Sequence, residues 1–197
     1  MQRLDEAKRA AILNAAKQRL SQYGVKKTTM QEIAEDVGIA VGTLYLYFKN
    51  KNEILIATAE AYEIQHLADT EKILRSRLSA PEKLKAYLVN RFRAVQDNRL
   101  SGSQAAELAR AVLRLKPQLQ EEQGKAVKQN VSSILQEGMQ ANLFHIEQLE
   151  QDLTVFLYSI GYFFPLPSTE QYYEPSEENL CLVIDWFVKQ WCRDINN

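Results

Sequence analysis

Between Thr28 and Lys51 hydroxyls, phenols and ammonium groups recur beside the carboxylates of Glu32, Glu35 and Asp36, and the first three are types that hold a phosphate. Thr28 and Thr29 stand before a helical run, where a hydroxyl and the open N–H groups of a helix start favour an anion. Tyr45 and Tyr47 each carry a phenolic donor on a ring that packs against a helix. Plain core packing competes with that role more strongly at Tyr45 than at Tyr47. Lys26, Lys27, Lys49 and Lys51 add positive charge, though each taken alone is an ordinary solvated cation. Val41, Gly42 and Thr43 open the second of two short helical runs with a methyl-bearing side chain, a bare backbone and a hydroxyl, groups suited to base edges. From Ile39 to Phe48 there is no Arg, Lys, Asn or Gln to grip guanine or adenine with two hydrogen bonds. Discrimination is then expected to rest on methyl contacts, close fit and duplex shape.

Other chemistry finds little support. Glu63 and His66 form a Glu-x-x-His pair on one helix face, a unit used in di-iron bundles, but such a site needs a second copy and two more inward carboxylates. The other histidine, His145, has no Glu three residues before it. Glycine-rich phosphate loops, nucleophile elbows and Cys/His clusters are absent from the sequence. No catalytic residue, metal or cofactor is expected. Cys181 and Cys192 fall in one predicted helix, about 16 Å apart along its axis, too far to bridge. A reduced, cytoplasmic chain is the simplest reading.

Helices must position these groups. Ile12, Ala16, Leu20 and Tyr23 make an apolar stripe that Gly24 ends, with a left-handed cap expected there. Thr29 and Glu32 have capping-box spacing. Ile33, Ala34 and Val37 face inward, Gly38 allows a tight turn, and Leu44 and Phe48 are buried by the next helix. That leaves Val41, Gly42, Thr43, Leu46 and Tyr47 outward. Asn50 and Glu53 supply a second cap for a helix predicted from Lys51 to Leu78. Further stripes are Leu84, Leu88, Phe92 and Val95, then Val127, Val131, Ile134, Leu135 and Gly138, then two closing helices around a Pro165–Pro175 loop. No alternating strand pattern survives, so the prediction is all-α with about nine helices. Two short helices across a glycine turn suit a helix-turn-helix, or else an ordinary packed pair.

Composition sets the outer limits. The net charge of −1 excludes a uniformly basic nucleic-acid sponge, yet residues 1–51 hold nine Lys/Arg against five Asp/Glu. From 129 to 188 there are nine acids and no Lys or Arg. A basic head on an acidic body suggests that the head meets a polyanion. The start is charged and periodic, unlike a signal peptide. Leu153 to Leu166, the most apolar stretch, is too short to cross a bilayer, and no membrane role is expected.

Arg9-x-x-Ile12, Ala16, Gly24, Thr28-Thr29, Ile33-Ala34, Gly38, Gly42-Thr43-Leu44-Tyr45, Tyr47-Phe48, Lys51 and Glu53-x-Leu55 together resemble the tetracycline-repressor (TetR) family of bacterial transcriptional regulators. The resemblance covers about residues 5–60 without a gap; Ala40 and Tyr47 stand where Ser and His are common in the family. It implies a helix-turn-helix domain at 1–50 and a helical effector-binding and dimerisation domain at 51–197. It also selects Lys51 among the lysines as a mobile phosphate contact, beside Thr28, Thr29, Val41, Gly42, Thr43, Tyr45 and Tyr47. A homodimeric repressor is implied, released from an inverted-repeat operator by a small molecule. The rival from another class is a helical ligand-binding or adaptor protein that no longer binds DNA.

For the dimer, the apolar faces Phe156, Leu157, Ile160, Phe164 and Leu180, Val183, Phe187, Trp191 are the expected interface, in a four-helix arrangement implied by the resemblance, with capping of the monomer core as the alternative. For the effector, the aromatic residues Tyr62, Tyr87, Phe92, Tyr158 and Tyr162 are candidate pocket residues, with core packing as the alternative. The stretch from Gln129 to Val188, free of Lys and Arg, points to an apolar effector that is neutral or cationic.

Overall fold

The computed structural model describes residues 5–100, 103–164 and 175–192; the side chains of 62–65, 95–100 and 103–106 are outside the description. Among the described residues there are nine helices and no strand: α1 (Glu6–Tyr23), α2 (Met30–Val37), α3 (Val41–Tyr47), α4 (Lys51–Leu74), α5 (Ala80–Leu100), α6 (Ser103–Leu115), α7 (Gln118–Gln140), α8 (Leu149–Gly161) and α9 (Glu177–Trp191). Most boundaries follow the sequence signals. The Asp97–Ser103 stretch, with Asp, Asn, Ser and Gly, reads as a loop in the sequence, but Asp97 to Leu100 continue α5 and Ser103 begins α6, since no Gly or Pro stops the helix before Gly102. The expected Pro165–Pro175 loop lies almost wholly outside the described residues.

The chain forms two compact units, Met1–Gln65 with Asp97–Gln118, and His66–Gln96 with Leu119–Asn197. The first takes in the start of α4 and all of α6, and so reaches beyond residues 1–50.

In the first unit Ile12, Ala16, Ile33, Ala34, Leu44, Phe48, Ile54 and Ala57 make the buried core. Burial of α1's stripe is as expected for Ile12, Ala16 and Leu20, whereas Tyr23 is exposed with the Arg19 guanidinium 5.3 Å from its ring centroid. Gly24 ends α1 with φ 80° and ψ 173°, a positive-φ stop outside the left-handed helical region. Gly38, at φ 72° and ψ 35°, does take the left-handed conformation and turns the chain from α2 into α3.

The second unit buries Tyr87, Leu88, Ile134, Leu135, Phe156 and Trp191 among others. Gly138 is required there, because a Cβ would fall 2.1 Å from the Phe144 ring. Lys83, almost fully buried on α5, places its ammonium 2.7 Å from both carboxylate oxygens of Glu137 on α7.

Here the expected dimer face is corrected. Phe156, Ile160, Leu180, Phe187 and Trp191 are buried in this unit's own core, and Leu157, Phe164 and Val183 pack partly buried against it. Apolar periodicity selects the most apolar face of a helix, and in α8 and α9 that face serves the monomer. The opposite faces expose Val155, Tyr158 (83 % exposed) and Tyr162 on α8 and the turn after it, and Leu182 (62 %) and Trp186 (58 %) on α9.

Candidate nucleic-acid interface

The helix-turn-helix is built from a cap, a clamp and a turn. Thr29 caps α2: its hydroxyl oxygen accepts from the Glu32 N–H at 3.3 Å, while the Glu32 carboxylate accepts from the Thr29 N–H and hydroxyl, both at 2.8 Å. Those bonds, the hydroxyl's foremost, hold the Glu32 carboxyl below its usual range. Arg19 on α1 grips Asp36 through two nitrogens, at 2.6 and 2.7 Å, and lies 3.2 Å from Glu32, fixing α2 against α1. That pairing likewise holds Asp36 below the carboxylate range. Asn50 and Glu53 cap α4 as their spacing predicts: Asn50 accepts from the Glu53 N–H at 3.1 Å, and Glu53 from the Lys49 N–H at 2.8 Å.

On α3, Leu44 is buried and Val41, Thr43 and Tyr47 are half-buried, while Gly42, Tyr45 (48 % exposed) and Leu46 (67 %) face outward. Gly42 has no positive φ, and a Cβ there would meet nothing within 4 Å. The fold therefore has no use for glycine at 42. The Tyr47 hydroxyl oxygen accepts from the N–H of Asp5 at 3.3 Å, which leaves its own proton free to donate. Leu46 is the position that sequence reasoning placed outward without assigning it a role.

One of the expected phosphate contacts is corrected, and the expected mobility of a second. Thr28 is fully buried, and its hydroxyl donates to the Gly24 carbonyl at 2.8 Å, closing the end of α1. Lys51 is half-buried rather than mobile: its ammonium donates to the carbonyls of Val25 at 2.8 Å and Thr28 at 2.9 Å. Both residues hold the α1–α2 turn. Thr29 stays exposed at the start of α2, flanked in sequence by exposed Lys26 and Lys27.

The candidate pocket residues are not brought together. Tyr87 and Phe92 are buried in the core of the second unit, whereas Tyr158 and Tyr162 lie on its surface; the side chain of Tyr62 is outside the description. An open depression of about 350 Å³ runs along α7 past Lys125, Lys128, Ser132 and Gln136, with no aromatic residue in its lining. On α4, His66 has its Nε2 3.5 Å from Arg91 and its Nδ1 3.4 Å from the Asn90 amide, both on α5. The imidazole thus lies beside the Arg91 guanidinium on one edge and the Asn90 amide nitrogen on the other. No group of three or more His, Cys, Asp or Glu gathers as a metal site among the described residues.

Residues 12–58 match the profile of the family described as bacterial regulatory proteins, tetR family. The Fatty acid metabolism regulator protein of Bacillus subtilis is 30 % identical over 131 residues, covering 66 % of this chain and 67 % of that protein. The HTH-type transcriptional repressor KstR2 of Mycolicibacterium smegmatis is 28 % identical over 90 residues, and this chain spans only 44 % of its length. In fold, a transcriptional regulator from Cytophaga hutchinsonii superposes with a TM-score of 0.76 at 24 % identity, over 94 % of this chain and 99 % of the other. The cap, the glycine turn and the outward stripe of α3 thus sit in a helix-turn-helix whose relatives are regulators, and the chain belongs to the TetR family of DNA-binding bacterial transcriptional regulators.

Proposed function

We propose that the protein is a homodimeric cytoplasmic repressor, held at an inverted-repeat operator by α3 and the N-terminus of α2 and released by a small-molecule effector. The observation that carries this reading is the outward stripe of α3, where Gly42, Tyr45 and Leu46 are exposed behind the left-handed turn at Gly38. In this account α3 enters the major groove, Gly42 lets backbone approach the base edges, Thr43 offers hydroxyl or methyl, and Val41 and Leu46 meet thymine methyls. Thr29, Tyr45 and Tyr47 hold phosphates, and Lys51 adds its remaining N–H. The exposed face of Val155, Tyr158, Tyr162, Leu182 and Trp186 pairs two copies, as its aromatic content suits. In the described residues no helix is long and apolar enough to cross a membrane, in keeping with a cytoplasmic role.

The effector is apolar in this account. The stretch without Lys or Arg from Gln129 to Val188 favours a neutral or cationic head group. A second reading, an apolar acid, is favoured by Arg91, whose guanidinium on α5 has the His66 imidazole as its polar neighbour. It also agrees with the similarity to a fatty acid metabolism regulator. Three probes sharing one tail decide between them: dodecyltrimethylammonium, dodecanol and dodecanoate, in thermal-shift and electrophoretic-shift assays on DNA from upstream of the protein's own gene. Release by the first two supports the neutral or cationic reading; release by dodecanoate alone, lost in Arg91→Gln, supports the acid. A shift with no DNA sequence contradicts the regulator itself.

A further inference from the structure

The peptide unit of Val25, in the turn between α1 and α2, is held from both sides by charged groups that lie outside the helix-turn-helix. Lys51, at the start of α4, donates to its carbonyl at 2.8 Å and to that of Thr28 at 2.9 Å. Glu107, on α6 and 82 residues away in sequence, accepts from its N–H at 2.9 Å. The turn is short and buried at both ends, at Gly24 and at Thr28, whose own hydroxyl closes on the Gly24 carbonyl. Its N–H has no helical partner, since α1 has ended, so a carboxylate supplies the missing acceptor. A charge-assisted bond of this kind is among the stronger ones available to a backbone N–H.

We infer that Glu107 is a positioning residue for DNA binding: from α6 it fixes the α1–α2 turn, and through that turn the Thr29 cap and the N-terminus of α2. The inference rests on the helix-turn-helix as the DNA-reading element. It assigns a reading-head role to a residue far from that element in sequence, and one with the wrong charge for a phosphate contact. Glu107 therefore makes a prediction of opposite sign from simple electrostatics. If its charge merely opposed the DNA, removing it would tighten binding. If it holds the turn, removing it loosens the head and weakens binding, although a negative charge has gone. No phosphate is involved, so the dependence of affinity on salt keeps its slope.

Because α6 carries Glu107, a displacement of α6 relative to α1 strains this bond. A carboxylate at 2.9 Å loses a hydrogen bond within a shift of about 1 Å. The turn then keeps Lys51 on its carbonyls but loses the hold on its N–H.

The test uses the full chain and a duplex that the wild type selects from a random pool. Glu107→Ala is expected to weaken binding about tenfold, the size of one charge-assisted hydrogen bond partly expressed, with the salt slope unchanged. Glu107→Gln, whose amide oxygen reaches the same N–H, restores most of the affinity, and Glu107→Asp, one methylene shorter, does not. Amide exchange at Val25 speeds up in Ala and Asp variants and stays slow in Gln. Binding by Glu107→Ala as tight as the wild type or tighter overturns the inference, and so does failure of Gln to do better than Ala. Should the wild type select no duplex, the regulator reading itself fails, an outcome separate from these.

Discussion

At Gly42 the proposed DNA contact and the stability of the helix make opposite demands. A glycine in a helix costs up to about 1 kcal/mol against alanine, and nothing within 4 Å of its missing Cβ excuses that cost. Gly42→Ala is therefore expected to leave the melting temperature equal or higher while weakening operator binding by about 1–3 kcal/mol, the size of one lost base contact. Parallel thermal melts and DNA titrations check both halves; equal DNA affinity would refute the close approach. Lys51 makes a different prediction. With two N–H groups given to carbonyls, its third faces outward in this account, so Lys51→Ala weakens binding to all duplexes alike and lowers the salt slope by about one. The residue types were legible in the sequence, but their allocation was not. Thr28 and Thr29 are neighbours of one kind, and only the fold sends one hydroxyl inside to Gly24 and leaves the other at a helix start. Lys51 could not be told from a solvated lysine, because the carbonyls it binds belong to a turn more than twenty residues earlier.

At the scale of the element, local signals were the reliable ones. Thr29 with Glu32 and Asn50 with Glu53 are short-range patterns whose bonds form within one helical turn, and both are present. The Glu32 box also carries a pH dependence. Its carboxyl is held below the ordinary range, first by the Thr29 hydroxyl and then by the backbone N–H. A depressed carboxylate stabilises the fold at pH above its unfolded-state value, and that contribution disappears as pH falls through the folded-state value. Urea melts of the wild type and Glu32→Gln should differ at neutral pH and converge in acid; a difference that persists unchanged in acid contradicts the assignment. The end of α5 was less legible. Asp97 and Asn98 read as loop formers, yet without a Gly or Pro the helix runs on to Leu100, since its ladder continues at little cost in polar residues.

For the whole molecule the decisive ambiguity was which apolar face meets which partner. Adjacent residues on α9 give the sharpest contrast: Phe187 is buried in the core of its own unit, while Trp186 is exposed. Trp186→Glu is expected to yield a folded monomer of 22.6 kDa by light scattering, and Phe187→Glu to lose the fold, by several kcal/mol for a buried unpaired charge. Periodicity picked out the inner stripes of α8 and α9 and assigned them to the interface, because a sequence does not say which face the monomer itself consumes. The pocket residues failed for a related reason: aromatic content marks burial in a core as readily as the lining of a cavity, and Tyr87 with Phe92 took the first course. The charge asymmetry between the first fifty residues and the rest was legible and agrees with a DNA-reading head. Selection of duplexes from a random pool by the intact protein tests the central claim most directly. The account predicts enrichment of an inverted repeat, with half-sites about one helical turn or more apart and thymine methyls at the positions α3 reads. No enrichment over bulk duplex, or enrichment that survives replacement of Gly42, Thr43 and Leu46 together, would contradict it.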